Sequence, residues 1–164
     1  MKNQKCYDKD GNFLGWFSRS TAVVCAITRK NNKGEIEVVA AKRGKGCPDN
    51  VGMWNMVSGY VEFDECIRES ASRETKEECG IIIPSNAWRL HSVNSNPKDD
   101  KRQNITFCML CEYKPEYGTF FTEHSEPDEV DDVRWIKAKD VDKYEWAFGH
   151  EKLIKRIVWE KYLF

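Results

Sequence analysis

Residues 66–79 contain neither glycine nor proline, are dense in Glu, Arg, Lys and Ala, and stop at Gly80. The run predicts a single helix closed by a C-terminal glycine, the residue that enters the left-handed conformation without a Cβ penalty. Turning about 100° per residue from Ile67 brings Ala71, Glu74 and Glu78 within roughly 40° of it and leaves Ser70 and Glu77 about 60–80° to one side. Two carboxylates therefore continue the apolar stripe. Glu69, Ser72 and Lys76 fall on the opposite, wet face. Glu74, Glu77 and Glu78 are surface neighbours, with Cβ atoms about 5–6 Å apart, at the end where the helix dipole is negative. Repulsion, dipole and partial burial all oppose three ionised groups there, so the pattern asks for positive charge. Arg73 is nearest in sequence, but at about −120° on the same wheel it is not placed to neutralise all three. A divalent cation such as Mg²⁺, which takes hard oxygen ligands, would do so. The plain alternative is a solvated acidic face.

Around that helix the chain reads mostly as strands. Residues 20–29 (STAVVCAITR) and 35–43 (EIEVVAAKR) are apolar and β-branched, joined through Asn31, Asn32 and Gly34 in a hairpin-like connection. A breaker-rich loop runs from Gly44 to Gly52. Beyond the helix, residues 88–93 and 104–113 read as strands around a polar loop, and residues 130–136 as another. Residues 149–164 set Leu153, Ile154, Ile157 and Val158 at helical spacing. Interleaved strands and helices with too few βα units for a barrel predict an α/β fold, a mixed sheet flanked by helices. Residues 1–17 carry Asp10-Gly11 between Tyr7 and Phe13, which predicts a small extra hairpin ahead of one domain spanning residues 18–164.

A chain of 164 residues is long enough to bury its own core without disulfides. Lys+Arg number 26 against 27 for Asp+Glu, a net charge of -1. This excludes a disordered polyelectrolyte and supplies no basic field for nucleic acid or anionic lipid. No apolar run approaches the ~20 residues of a membrane span, and the opening MKNQKCYDKDGN lacks the apolar middle of a signal peptide, so a cytoplasmic protein is expected. Seven scattered cysteines are expected to be reduced thiols. Cys108 and Cys111 form a CxxC, but on a strand residues three apart point to opposite faces, which argues against a joint metal or redox role.

The stretch GYVEFDECIRESASRETKEECGI, residues 59–81, resembles the signature of the Nudix hydrolases, G-x5-E-x7-R-E-U-x-E-E-x-G-U. Gly59, Glu65, Arg73, Glu74, Glu77, Glu78, Gly80 and Ile81 fall on its fixed positions. Thr75 stands where the family prefers an aliphatic residue, and Val57 and Ser58 replace the Pro and Gly that many relatives carry before Gly59. The resemblance implies an α/β/α sandwich that hydrolyses a nucleoside diphosphate linked to another moiety with Mg²⁺ or Mn²⁺. It implies that Glu74, Glu77, Glu78 and the Gly59 carbonyl hold the metal, and that Arg73 pairs with Glu65 to fix the loop to the helix.

The same resemblance leaves the general base open between a box glutamate, Glu74, and the downstream run 123–129, where Glu126 is favoured and Glu129 comes second. Arg43, ending a strand before the Gly44-Lys45-Gly46 loop, suits a phosphate. Trp54 and Tyr60 flank the box as candidate stacking surfaces, with a core role the stronger reading for Trp54. Arg102 closes a loop loosely similar to that of nucleotide-sugar pyrophosphatases. The expected substrate is ADP-ribose or another nucleotide sugar, ahead of a nucleoside triphosphate. A nucleotide sensor that binds without cleaving is the reading of another class. A homodimer is implied by resemblance alone.

Overall fold

The computed structural model describes residues 3–99, 101–120 and 128–162. Its centre is the pair β3 (Thr21–Lys30) and β4 (Ile36–Arg43), antiparallel only where Thr28, Arg29 and Lys30 face Val38, Glu37 and Ile36. Beyond those residues the strands part, and residues 54–60 fill the fork. There β5 (Trp54–Asn55) pairs with β4, and β6 (Ser58–Tyr60) pairs with β3. The Cys25 N–H donates to the Val57 carbonyl at 2.8 Å and ties the crossing segment to β3. The fork therefore delivers Gly59 to the middle of the sheet's edge, beside the helix that follows.

That helix is α1 (Ile67–Cys79), starting after Cys66 and closed by Gly80 at φ +75° with its N–H donated to Lys76. β7 (Arg89–Asn94) and β8 (Ile105–Glu112) extend the sheet on the far side of β3, with β8 parallel to it, and β9 (Val130–Lys137) lies on the outer edge of β4. α2 (His150–Tyr162) covers the other face. Side chains alternate along β3, so Val23, Cys25 and Ile27 join Ala71 and Cys79 in the core under α1. Val24 and Ala26 join Ile154 and Ile157 under α2. Cys108 and Cys111 enter these two different cores, as expected for residues three apart on a strand. The result is the α/β sandwich with a mixed sheet.

At the front of the chain, β1 (Gln4–Tyr7) and β2 (Phe13–Phe17) form a separate antiparallel hairpin around Gly11, which carries φ +85° in its turn. Tyr7, Phe13, Leu14, Trp16 and Phe17 are exposed there. Two expectations shift on inspection. Trp88 precedes its strand and is fully buried, with its Nε1–H donated to Ser72 Oγ at 3.1 Å. Ser72 is thereby drawn off the wet face, because a buried indole N–H needs an acceptor. No helix among the described residues is long and apolar enough to cross a membrane.

Candidate active site

A cleft of about 1160 Å³ opens between the box and the loops at the end of the sheet. Its acidic wall is α1. Glu74 is buried, and Arg73 Nη1 donates to Glu74 Oε1 at 2.8 Å and to Glu77 Oε2 at 2.9 Å. Arg73 Nη2 donates to Glu65 Oε1 at 2.8 Å and to the Tyr60 carbonyl at 2.9 Å, and Nε reaches Glu65 Oε2 at 3.1 Å. The Arg73 bonds hold Glu65 down to about 2, against 4.5 for an ordinary glutamate, and the carboxylates keep Arg73 firmly charged. Arg73 thus pairs with Glu65 and with two of the three helix glutamates, while Glu78 stays out of its reach. A helical wheel records where a Cα points, whereas a guanidinium with five donors reaches several neighbours at once.

Glu78 is the carboxylate left over. Its Oε2 is fully buried with no hydrogen-bond partner. Burial first, and then the charge of Glu74, push its carboxyl well above the ordinary range, while the Ser58 N–H works the other way. Gly59 lies against this cluster. A Cβ built there would fall 2.0 Å from Glu74 Oε1, so the residue is glycine because the carboxylate approaches so closely. Thr75, at the signature's soft position, is fully buried, as an aliphatic side chain there would be.

The donor set suits a hard divalent ion: a buried, orphaned carboxylate oxygen with two further carboxylates beside it. Among the described residues no three acidic, His or Cys side chains are gathered into a ready cage, since Glu74 and Glu77 both turn to Arg73. Holding an ion there requires these two to exchange one cation for another.

The opposite wall is basic. Arg43, at the end of β4, donates through Nε to the Asp49 carbonyl at 3.0 Å and through Nη2 to Asp49 Oδ1 at 3.2 Å. Arg102 pairs with Asp49 Oδ2. Burial opposes the Arg102 charge, but Asp49 and Tyr60 more than offset it. Both guanidiniums sit over the ring of Phe148, 5.0 Å and 5.6 Å from its centroid. Phe148 holds φ +60°, a left-handed conformation that costs a bulky residue about 1–3 kcal/mol. Next to it, His150 Nδ1 accepts the Met56 N–H at 3.0 Å, which leaves the imidazole proton on Nε2. Burial, and secondarily Arg43, lower His150 to about 4, so the ring is neutral.

Of the residues singled out from sequence, Gly59, Tyr60, Arg73, Glu74, Glu77, Glu78, Arg43 and Arg102 line this one cleft. Glu65 is joined to it through Arg73, and Gly80 ends the helix that carries the glutamates. Trp54 is not in the cleft but in the core under α2, edge-on to Tyr144 at 5.7 Å and beneath Arg134 at 4.7 Å. β5 faces that core, so the indole never reaches the opening. Glu126 lies outside the described residues. Glu129 does line the cleft, and its carbonyl accepts the Gly44 N–H at 2.7 Å, which latches the loop after β4 onto the start of β9. Asp49, Phe148 and His150 were missed from sequence: no motif marks them, and 53 residues separate Asp49 from Arg102 while 94 separate Met56 from His150.

An acidic helix end thus faces a pair of guanidiniums across one cleft. The chain belongs to the NUDIX family, whose domain model matches residues 18–157, and it is a pyrophosphohydrolase. It is 27% identical over 152 residues to a dihydroneopterin triphosphate diphosphatase of Haemophilus influenzae, covering 82% of this chain and 89% of the relative. Its fold is similar to the NUDIX domain of Shewanella oneidensis NrtR, solved with ADP ribose. That match has a TM-score of 0.72 at 20% identity, over 92% of this chain and 90% of the other. A bifunctional NMN adenylyltransferase/ADP ribose pyrophosphatase of Francisella tularensis, solved with AMP and a Mn ion, matches with a TM-score of 0.70 at 19% identity. It covers 87% of this chain and 42% of the other.

Proposed function

We propose that the chain hydrolyses the pyrophosphate bond of a nucleotide derivative, holding a divalent ion on Glu74, Glu77, Glu78 and the Gly59 carbonyl. The carrying observation is the orphaned Glu78 Oε2 in the wall of a cleft that also presents Arg43 and Arg102. A bound Mg²⁺ or Mn²⁺ would supply charge neutralisation at the phosphate oxygens and a more acidic water. Arg43 and Arg102 bind the phosphates, and their planar donors suit that geometry. Arg73 keeps Glu74 and Glu77 in place, and through Glu65 anchors the loop to the helix. The base that takes the water's proton is a carboxylate: Glu126 by the sequence reading, with Glu129 the downstream glutamate that lines the cleft among the described residues.

ADP-ribose or another nucleotide sugar is the first substrate reading, resting on the loop that carries Arg102. A triphosphate is the second, favoured by the similarity to the Haemophilus enzyme along nearly its whole length. The test is a panel of ADP-ribose, nucleoside triphosphates and dihydroneopterin triphosphate with Mg²⁺ or Mn²⁺, products identified by mass. Cleavage of an anhydride bond in the panel, lost without metal, is expected. Binding of the nucleotides without any cleavage would establish the sensor reading instead.

A further inference from the structure

The basic wall of the cleft contains two groups that cleavage of an anhydride does not require. Phe148 is 45% exposed and held in a left-handed conformation, so its ring buys no core packing for the strain it carries. His150 is the reverse: it is 5% exposed, it lines the cleft, and its Nδ1 is occupied by the Met56 N–H. Its ring centroid lies 5.6 Å from that of Phe148. With Nδ1 taken by the Met56 N–H, the Nε2–H is the donor the ring has left to offer, and the cleft is the side from which an acceptor can come.

We propose that Phe148 and His150 form the pocket for the substrate's heterocycle, which packs against the phenyl ring and accepts a hydrogen bond from His150 Nε2–H. This rests on the pyrophosphohydrolase reading and deepens it. The chemistry narrows the ligand. A donor on a neutral imidazole matches an uncharged acceptor, a ring nitrogen or a ring carbonyl, and leaves the charged phosphates to the guanidiniums. Arg43 and Arg102, both over Phe148, then stand beside a flat π-system and its phosphates together, and both are favourable partners for a guanidinium. The class selected is a purine- or pterin-like ring carrying a di- or triphosphate. A ringless polyphosphate meets the arginines but brings no flat face to Phe148 and no ring acceptor to His150.

Two variants test this without relying on a damaged fold. Phe148→Gly removes the ring at a backbone position that glycine prefers. His150→Asn keeps an amide oxygen where Nδ1 accepts the Met56 N–H but withdraws the Nε2 donor. Each is compared with the parent on inorganic tripolyphosphate and on whichever of GTP, ATP and ADP-ribose the parent cleaves fastest. For the ring-bearing substrate Phe148→Gly is expected to raise KM roughly tenfold with kcat much less changed, as for loss of one stacking partner. His150→Asn is expected to raise it severalfold. The loss on tripolyphosphate should be at least about fivefold smaller than on the ring-bearing substrate. Equal losses on both, or KM values equal to the parent's, overturn the proposal while leaving the hydrolase reading intact. If the parent cleaves nothing, the hydrolase reading fails. Calorimetric titration with GTP then decides the pocket: weaker binding by Phe148→Gly supports it, and equal binding overturns it.

Discussion

On one wall of the cleft a single guanidinium, Arg73, is shared among Glu65, Glu74 and Glu77; on the other a single carboxylate, Asp49, is shared between Arg43 and Arg102. The first wall is anionic after pairing and the second is cationic, although each is assembled from the same kind of ion pair. Neither wall can satisfy the other by collapsing onto it, because the fork of the sheet fixes one and the loops after β4 and before α2 fix the other. On the proposed function, what fits between them would carry both signs, a cation toward α1 and phosphates toward the arginines. The comparison also locates what each wall has to offer: an orphaned carboxylate oxygen on Glu78, and on the other side a neutral imidazole whose Nδ1 is already taken by the Met56 N–H.

Breaking the acidic wall has the largest effect. Glu78→Gln should lower turnover by at least ~10²-fold, comparable with removal of other electrostatic stabilisers. It should also raise the urea midpoint of the metal-free protein, since burial and Glu74 disfavour the ionised carboxyl and a neutral amide carries no such penalty. Activity within a few-fold of the parent would remove Glu78 from the site.

Acid separates the walls. His150 is lowered to about 4 from 6.5, so between those values the unfolded chain binds more protons and stability falls as pH falls. The full difference is worth about 3 kcal/mol. Glu65, at about 2 instead of 4.5, contributes stability that is complete above 4.5 and lost only as pH drops toward 2. The basic wall therefore gives way first. Urea unfolding from pH 7.5 to 4.5 should show a slope that flattens in His150→Asn, and identical slopes would contradict the assignment.

Gly59→Ala is milder because a carboxylate can move. Its Cβ would sit 2.0 Å from Glu74 Oε1, so Glu74 must swing away from both Gly59 and Arg73. A destabilisation of about 1–3 kcal/mol, typical of overpacking, is expected alongside a loss of turnover. Thermal unfolding and initial rates measure the two together.

The acidic wall was legible in the sequence and the basic wall largely was not, and the reason is range. Glu74, Glu77, Glu78 and Arg73 lie within one helix, so a fixed turn angle already places them, and Gly80 marks its end. The hairpin around Gly11 and the strands flanking the box are local in the same sense. The fork between β3 and β4 is not: it depends on two strands parting after three pairs, which no periodicity records. Arg43 and Arg102 were picked out singly, but their meeting at Asp49 and over Phe148 is a product of topology. Trp54, close to the box in sequence, can be read as a stacking surface, but a core role is the stronger reading, and the pleat does turn it into the core.

The smallest effect sharpens the basic wall by keeping its charge and changing its shape. Arg102→Lys retains a cation near Asp49 but loses the planar group over Phe148 and the two-pronged donor a phosphate prefers. The side chain is 36% exposed, so solvent replaces part of what is lost. A rise in KM of roughly threefold is expected, with kcat little changed. Arg43→Lys should cost more, because Arg43 is only 12% exposed and makes two hydrogen bonds to Asp49. Steady-state kinetics on both variants read the difference directly. If lysine at 102 costs as much as lysine at 43, the two arginines form one rigid clamp. If it costs less, Asp49 and Arg43 are the fixed part of the wall and Arg102 is its adjustable edge.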